Sequence, residues 1–437
     1  MPNAMCNVTL RAGFSVNAWS TLSKKLNLVL SSGSLSCSRL RQCFNPSGQM
    51  SFSVYNSEIT LYCGGVIVTH NIDNDTVDKL SLPEMHSSKK DTLHNRMDVD
   101  FYHAITNVSY SRDGEYFLVC TNRKQLCLYR RKNRTLVSNR TLVRAASRVK
   151  FTADNDIVVA DKSGDAYVYS TSKPEEAGTS LLGHLSMLLD VMVTEDLKYI
   201  ITTDRDEKIR VSMYPNCYNI LSYCLGHEKF VTNVKELPHD KSILVSSSGD
   251  GCLKFWDFQN GKELLSVDVN EYVREEDVKE FNKSLKDCDL DEDVNILPLR
   301  HLMVSKINDS TSIVMATLFS CKRLFLYTLS GEKSNKLAVN RRQIVEFEDE
   351  PLKCVVQNDN MLWVLFEQGL RVYMFNETFF RENKDIGGLE KINKSWIDIR
   401  NEMNTQTLFP ILYKRKFDNV QDYQERKRSR LLAKVSE

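Results

Sequence analysis

The residues best equipped for chemistry lie in one short run, Asp204-Arg205-Asp206-Glu207-Lys208-Ile209-Arg210-Val211. Its clustered carboxylates have the composition of a general acid and base pair, one kept protonated and the other ionised. Their company points elsewhere. A second run, Ser248-Gly249-Asp250-Gly251-Cys252-Leu253-Lys254-Phe255-Trp256-Asp257, repeats the pattern of a tight turn followed by alternating apolar positions. Asp206 then aligns with Asp250 and serves the turn, while Ile209 and Val211 align with Leu253 and Phe255 and serve a core. Asp204, Arg205, Glu207, Lys208 and Arg210 remain, more charge than such a turn requires. A solvated surface and a docking patch for a protein partner, whose register charge pairs would fix, are both open on this pattern.

Other chemistry is hard to find. Gly178-Thr179-Ser180-Leu181-Leu182-Gly183-His184 has the glycine spacing of a phosphate-binding loop, but His184 stands where the lysine is required and no hydroxyl residue follows. No G-x-G-x-x-G follows a strand, and neither H-E-x-x-H nor G-x-S-x-G occurs. The 8 histidines do not cluster with cysteines at metal spacing. Neither a cofactor nor a metal is expected. The 12 cysteines form no C-x-x-C pair, and Cys120, Cys127, Cys252 and Cys354 sit in apolar strand patterns, as reduced, buried thiols of an intracellular protein would. With 58 basic against 57 acidic residues there is no global field for nucleic acid or a membrane, and no run of 18 apolar residues could span one.

The elements that must position these residues show themselves as a repeat. Gly183-His184 leads to the Asp206 turn, and Gly226-His227 leads to the Asp250 turn and Trp256. His184 and His227 lie 43 positions apart, the period of a blade of four short strands in a WD-type propeller. In such a blade the His, a hydroxyl residue, the Asp and the Trp form a hydrogen-bonded chain, so His184, Asp206, His227, Asp250 and Trp256 are expected to be structural. The turn-and-strand pattern recurs at strands ending near Thr69, Tyr129, Tyr169, Ser212, Trp256, Tyr327 and Tyr373, which makes seven units. Two insertions separate them, a polar one over residues 70–100 and an acidic, helix-like one over 271–300. The expected fold is all-β, a seven-bladed WD-repeat propeller over residues 50–380, with Phe52-Ser53-Val54-Tyr55 pairing with the last blade to close the ring.

The flanks differ. Residues 1–49 are basic and serine-rich with no acid, the composition of a mitochondrial transit segment, and are read as a disordered or spurious leader. Residues 381–437 form a C-terminal extension, helical over 390–400 and 411–435. Its basic stretches, Lys414, Arg415 and Lys416 and then Arg426, Lys427 and Arg428, could touch RNA phosphates, form a solvated helix or act as a nuclear localisation signal.

Ala160-Asp161-Lys162-Ser163-Gly164-Asp165, Leu182-Gly183-His184-Leu185-Ser186-Met187-Leu188-Leu189-Asp190-Val191 and Asp204-Arg205-Asp206-Glu207-Lys208-Ile209-Arg210, in this order and spacing, resemble the non-catalytic WD-repeat subunit of the eukaryotic tRNA guanine-N7 methyltransferase, called wuho in insects. The resemblance extends to Ser246–Trp256 and to Phe417-Asp418-Asn419-Val420. It implies a heterodimer with a separate catalytic subunit, which holds S-adenosylmethionine and methylates a guanine in the tRNA variable loop, and tRNA contact through that complex. It also implies that the position of Arg210 pairs with an acid on the catalytic subunit and that Lys162 shares the contact surface. Asp204 and Arg205 are added to that surface, with Arg144 and Arg148 from the preceding blade by proximity. The nucleus is the expected location, with the cytoplasm beside it. The rival reading is a general scaffold such as a ubiquitin-ligase substrate receptor, though Phe258-Gln259 after Trp256-Asp257 lacks the arginine such receptors usually carry.

Overall fold

In the computed structural model the described residues are 51–84, 104–400 and 412–413, apart from 289, 291, 334–335, 358–360 and 377–378. They form seven four-stranded antiparallel sheets, each made of four consecutive strands. Every predicted repeat end falls in the third strand of a blade. The first strands, Ser51–Tyr55, Ile105–Tyr110, Ala146–Phe151, Leu188–Val193, Val231–Glu236, Leu299–Asn308 and Lys353–Gln357, contact one another in sequence, and the last returns to the first. This ring of inner strands surrounds the axis. Second strands are buried on both faces, and some read as near-continuous apolar runs, such as Tyr116–Thr121 and Met361–Phe366.

Outer strands meet water, and some carry little apolar signal. Thr76–Leu80, almost wholly exposed, completes the first blade inside the stretch expected to be a polar insertion. That insertion therefore begins later than its composition suggests, and residues 85–103 lie outside the described residues.

Closure also differs from expectation. Ser51–Tyr55 does not pair with the last blade but with Glu58–Cys63, from Ser51 opposite Tyr62 to Tyr55 opposite Glu58. The cause is local: Asn56-Ser57 makes a two-residue hairpin turn, with Asn56 at φ 50, a left-handed conformation that asparagine tolerates. The last blade takes its fourth strand, Phe379–Glu382, from its own continuation. No strand is exchanged at the seam.

Side chains seal it instead. Phe52, Ile59 and Leu61 of the first blade share one apolar cluster with Trp363, Leu365, Leu370 and Val372 of the last, and helix α2 (Leu389–Arg400) adds Ile392, Trp396 and Ile399. Trp396 is fully buried, and its indole N–H donates to the Glu367 carbonyl at 3.2 Å. Beside it, Asn393 accepts from the Leu370 N–H at 2.7 Å and donates to the Leu370 carbonyl at 3.2 Å. A β-carbon at Gly369 (φ +147) would lie 2.7 Å from the Asn393 side-chain oxygen, so the clamp requires glycine there.

The acidic insertion forms helix α1 (Glu275–Asp287), docked by Phe281 and Leu285 against blades 5 and 6 and by an ion pair between Asp277 and Arg323. Tyr413 joins the same cluster, its ring 5.5 Å from that of Phe230.

Trp396→Ala is expected to lower the unfolding free energy by about 3–5 kcal/mol, the usual cost of emptying a buried aromatic site. Urea denaturation followed by circular dichroism would show it as a lower midpoint.

Candidate partner-docking face

In blade 5 the hydrogen-bonded chain is complete. The Trp256 indole N–H donates to Ser246 Oγ at 2.8 Å, Ser246 Oγ pairs with His227 Nε2 at 2.7 Å, and His227 Nδ1 pairs with Asp250 Oδ2 at 2.8 Å. A carboxylate only accepts, so Nδ1 carries the proton and Nε2 accepts from the serine. Burial alone would raise the Asp250 pKa, but His227 and the N–H groups of Glu228 and Cys252 hold it below the usual carboxylate range.

Blade 4 departs from this in two ways. His184 Nε2 pairs with Thr202 Oγ1 at 2.9 Å, but His184 Nδ1 pairs with Asp204 Oδ2 at 2.9 Å, so Asp204 and not the aligned Asp206 completes the chain. The reason is position. Asp204 ends the second strand where blade 5 has Ser248, and its longer side chain reaches both the histidine and the turn, where Oδ1 accepts from the N–H groups of Asp206 at 2.9 Å and Lys208 at 3.0 Å. Asp204, assigned to a partner surface from the sequence, is buried and structural. Asp206 sits half-exposed on the turn it was expected to hold together.

The second departure is the missing tryptophan. Ser212 stands in its place, and the Arg210 guanidinium folds over: Nε donates to Ser212 Oγ at 2.9 Å, Nη1 to the Gly183 carbonyl at 3.2 Å and Nη2 to the Cys217 carbonyl at 3.0 Å. In blade 5 the Trp256 ring covers the corresponding Gly226. Arg210 is 9% exposed and knits its blade as the indole does in the next one. Two of its five N–H donors have no partner among the described residues.

Backbone contacts assemble the neighbouring predicted residues into one rim. The Lys162 N–H donates to the Ala145 carbonyl at 3.2 Å, the His184 N–H to the Gly164 carbonyl at 2.8 Å and the Arg205 N–H to the Met187 carbonyl at 3.0 Å. A β-carbon at Gly164 (φ +105) would lie 2.5 Å from the His184 carbonyl oxygen, so the Lys162 turn presses directly on the loop carrying Leu185. Arg144, Lys162, Leu185 and Arg205 therefore follow one another along blades 3 and 4. Arg144 and Lys162 are exposed, and no carboxylate lies within ion-pairing distance of Lys162 among the described residues. Surrounding protein displaces water from the Lys162 ammonium and holds its pKa below the ordinary lysine value.

Arg148 does not join them. It lies on the inner strand of blade 3, with Nε 3.2 Å from Asp190 Oδ1, and faces the propeller axis. Lys414, Arg415, Lys416, Arg426, Lys427 and Arg428 lie outside the described residues.

Sequence reasoning missed the apolar part of this face. Leu185 is 108% exposed, and Tyr218 and Leu225 flank an outer strand, Ile220–Cys224, whose Ile220, Leu221 and Tyr223 are also exposed. Tyr223 lies opposite Arg210 in the ladder. In sequence this apolar run looks like core; only its place at the rim of blade 4 leaves it bare.

The family model for the "tRNA methyltransferase TRM82 WD40 domain" matches residues 168–368, a span that contains Arg210 and both histidine chains. The tRNA (guanine-N(7)-)-methyltransferase non-catalytic subunit of Xenopus laevis is 33% identical over 339 residues, covering 75% of this chain and 80% of the relative. The chain belongs to this family of non-catalytic tRNA methyltransferase subunits. The insect member wuho of Culex quinquefasciatus is 32% identical over 345 residues, covering 76% of this chain and 77% of its own. Among solved structures, a chain of the mitotic checkpoint complex superposes with a TM-score of 0.54 at 13% identity, covering 73% of this chain and 89% of that one, a likeness of fold alone. For a non-catalytic subunit, the carboxylates of the Asp204 turn are read as scaffolding and not as an acid and base pair.

Arg210→Glu is expected to destabilise the isolated chain by about 2–4 kcal/mol, because it strips two carbonyls of their donors and sets a carboxylate against them. Arg210→Lys, which keeps the charge but loses the fork, should fall between the two in thermal denaturation.

Proposed function

We propose that this chain binds the catalytic tRNA guanine-N7 methyltransferase subunit as a one-to-one heterodimer and holds it in the form that makes N7-methylguanosine in the tRNA variable loop. The observation that carries the reading is the fully exposed Leu185 packed against the turn of exposed Lys162, whose cation has no acid within ion-pairing distance among the described residues. A leucine as exposed in the folded chain as in the unfolded one adds nothing to the fold but gains binding energy when a partner covers it, and a cation beside it selects a partner with an acid in reach. Arg205 and Arg144 extend the basic rim, and the two remaining N–H donors of Arg210 offer a fork at the blade 4 edge beside Tyr223. The propeller supplies a rigid platform, and the chemistry resides in the partner. Transfer RNA meets this chain through the complex, and a nuclear location accompanies that role.

Leu185→Asp and Lys162→Glu are each expected to raise the dissociation constant for the catalytic subunit about 10- to 100-fold while leaving the melting temperature of the isolated chain unchanged. Methylation of tRNA by the mixture should fall in parallel and recover at high subunit concentration. If calorimetry shows both variants binding as tightly as the parent, the docking face is elsewhere.

A further inference from the structure

The axial channel is far more basic than the chain as a whole. Side chains alternate along each inner strand, so Val149 and Val234 pack between sheets while Arg148, Lys150, Asn233 and Lys235 turn the other way, toward the axis. Blade 4 contributes Asp190 and blade 7 contributes Lys353. Asp190 is already consumed. Its Oδ1 lies 2.7 Å from Lys150 Nζ and 3.2 Å from Arg148 Nε and accepts from the Val191 N–H at 2.9 Å, while Oδ2 accepts from the Val234 N–H of blade 5 at 3.0 Å.

Lys235 and Lys353 have no carboxylate within ion-pairing distance among the described residues, and Arg300 nearby is committed to Glu350 at 2.6 Å. The cations feel one another. Burial, and then Arg148, Lys235 and Arg300, push Lys353 down to about 8; burial also pushes Lys150 down to about 8, with Lys235 and Arg148 adding to the shift against the pull of Asp190. Arg148 Nη2 donates to Asn233 Oδ1 of blade 5 at 3.4 Å, which ties the inner strands of blades 3 and 5 together across the channel.

Four cations from three blades therefore converge around one spent acid. A propeller fold does not require this. Repulsion among like charges costs stability, and apolar or hydroxyl side chains would line the axis at no such cost. A ligand that neutralises several of these cations at once would turn the cost into binding energy, and phosphate oxygens suit a guanidinium and several ammonium groups together. We propose that the axial channel, at Arg148, Lys150, Lys235 and Lys353, is a binding site for a small multivalent phosphate anion. The site is separate from the docking rim at Lys162 and Leu185 and does not rest on the partner assigned there.

The test is calorimetric titration of the full-length chain with sodium tripolyphosphate and, separately, with inositol hexakisphosphate, at ionic strength held constant with sodium chloride. The parent chain and Lys235→Gln/Lys353→Gln are compared. The parent should bind at least one of these anions with one-to-one stoichiometry, and the double variant should bind it at least tenfold more weakly. Without anion the double variant should melt at or above the parent temperature, which separates loss of a site from loss of fold. A linear site would favour tripolyphosphate and a radial one inositol hexakisphosphate, and either preference supports the proposal. Equal affinity of parent and double variant for both anions, as binding to basic residues elsewhere in the chain would give, overturns it. No saturable binding of either anion to the parent overturns it as well.

Discussion

Seven twisted sheets can share an axis only if the first and last are held together, and in this chain that junction is made of side chains. An exchanged strand would contribute a ladder of backbone hydrogen bonds. Here the work falls to one apolar cluster, shared by Phe52 and Ile59 on one side and Trp363 and Leu370 on the other, with Trp396 of α2 wedged over both. The Asn393 clamp on Leu370 orients the helix, so packing and hydrogen bonding fix the seam jointly. Everything that depends on ring geometry, including the spacing of the rim residues and the convergence of the inner strands, depends on that cluster.

The departures of blade 4 from blade 5 follow from two substitutions at aligned positions. Where Ser248 becomes Asp204, the histidine bond moves from the turn to the strand end, and the same carboxylate holds the turn through the N–H groups of Asp206 and Lys208. Where Trp256 becomes Ser212, an aromatic lid gives way to a guanidinium that bonds the serine and two carbonyls. A blade built this way keeps its internal bonding with a guanidinium in the place of the indole. Arg210 is built into the bonding of its blade, so altering it alters the fold as well.

Much of this was legible in the sequence because it depends on local spacing. The GH-to-Asp phrase, the third strands and α1 all follow from periodicity within a few dozen residues. Two kinds of feature were not. Outer strands such as Thr76–Leu80 meet water on most sides and leave no apolar alternation to read, which is why a polar insertion was placed over one of them. Contacts that depend on which of two nearby carboxylates reaches a histidine, or on Arg148 facing the axis instead of the rim, are set by strand direction and pleat. The exposed Leu185 lay in plain view within a recognised motif, but a leucine in sequence gives no hint of being bare. The Asn56-Ser57 turn did carry the signal against strand exchange, and the closure expectation passed over it.

Because each blade is contiguous in sequence, each has all four of its strands as soon as its own stretch of chain has been made. A ring that borrows a strand from the far terminus must leave one blade incomplete until synthesis ends, with an open sheet edge exposed meanwhile. Here no sheet waits. Blades can form in order behind the ribosome, and the seam between the first and the last cannot be sealed until α2 with Trp396 has been made. Closure of the ring therefore depends on a helix encoded after all seven sheets.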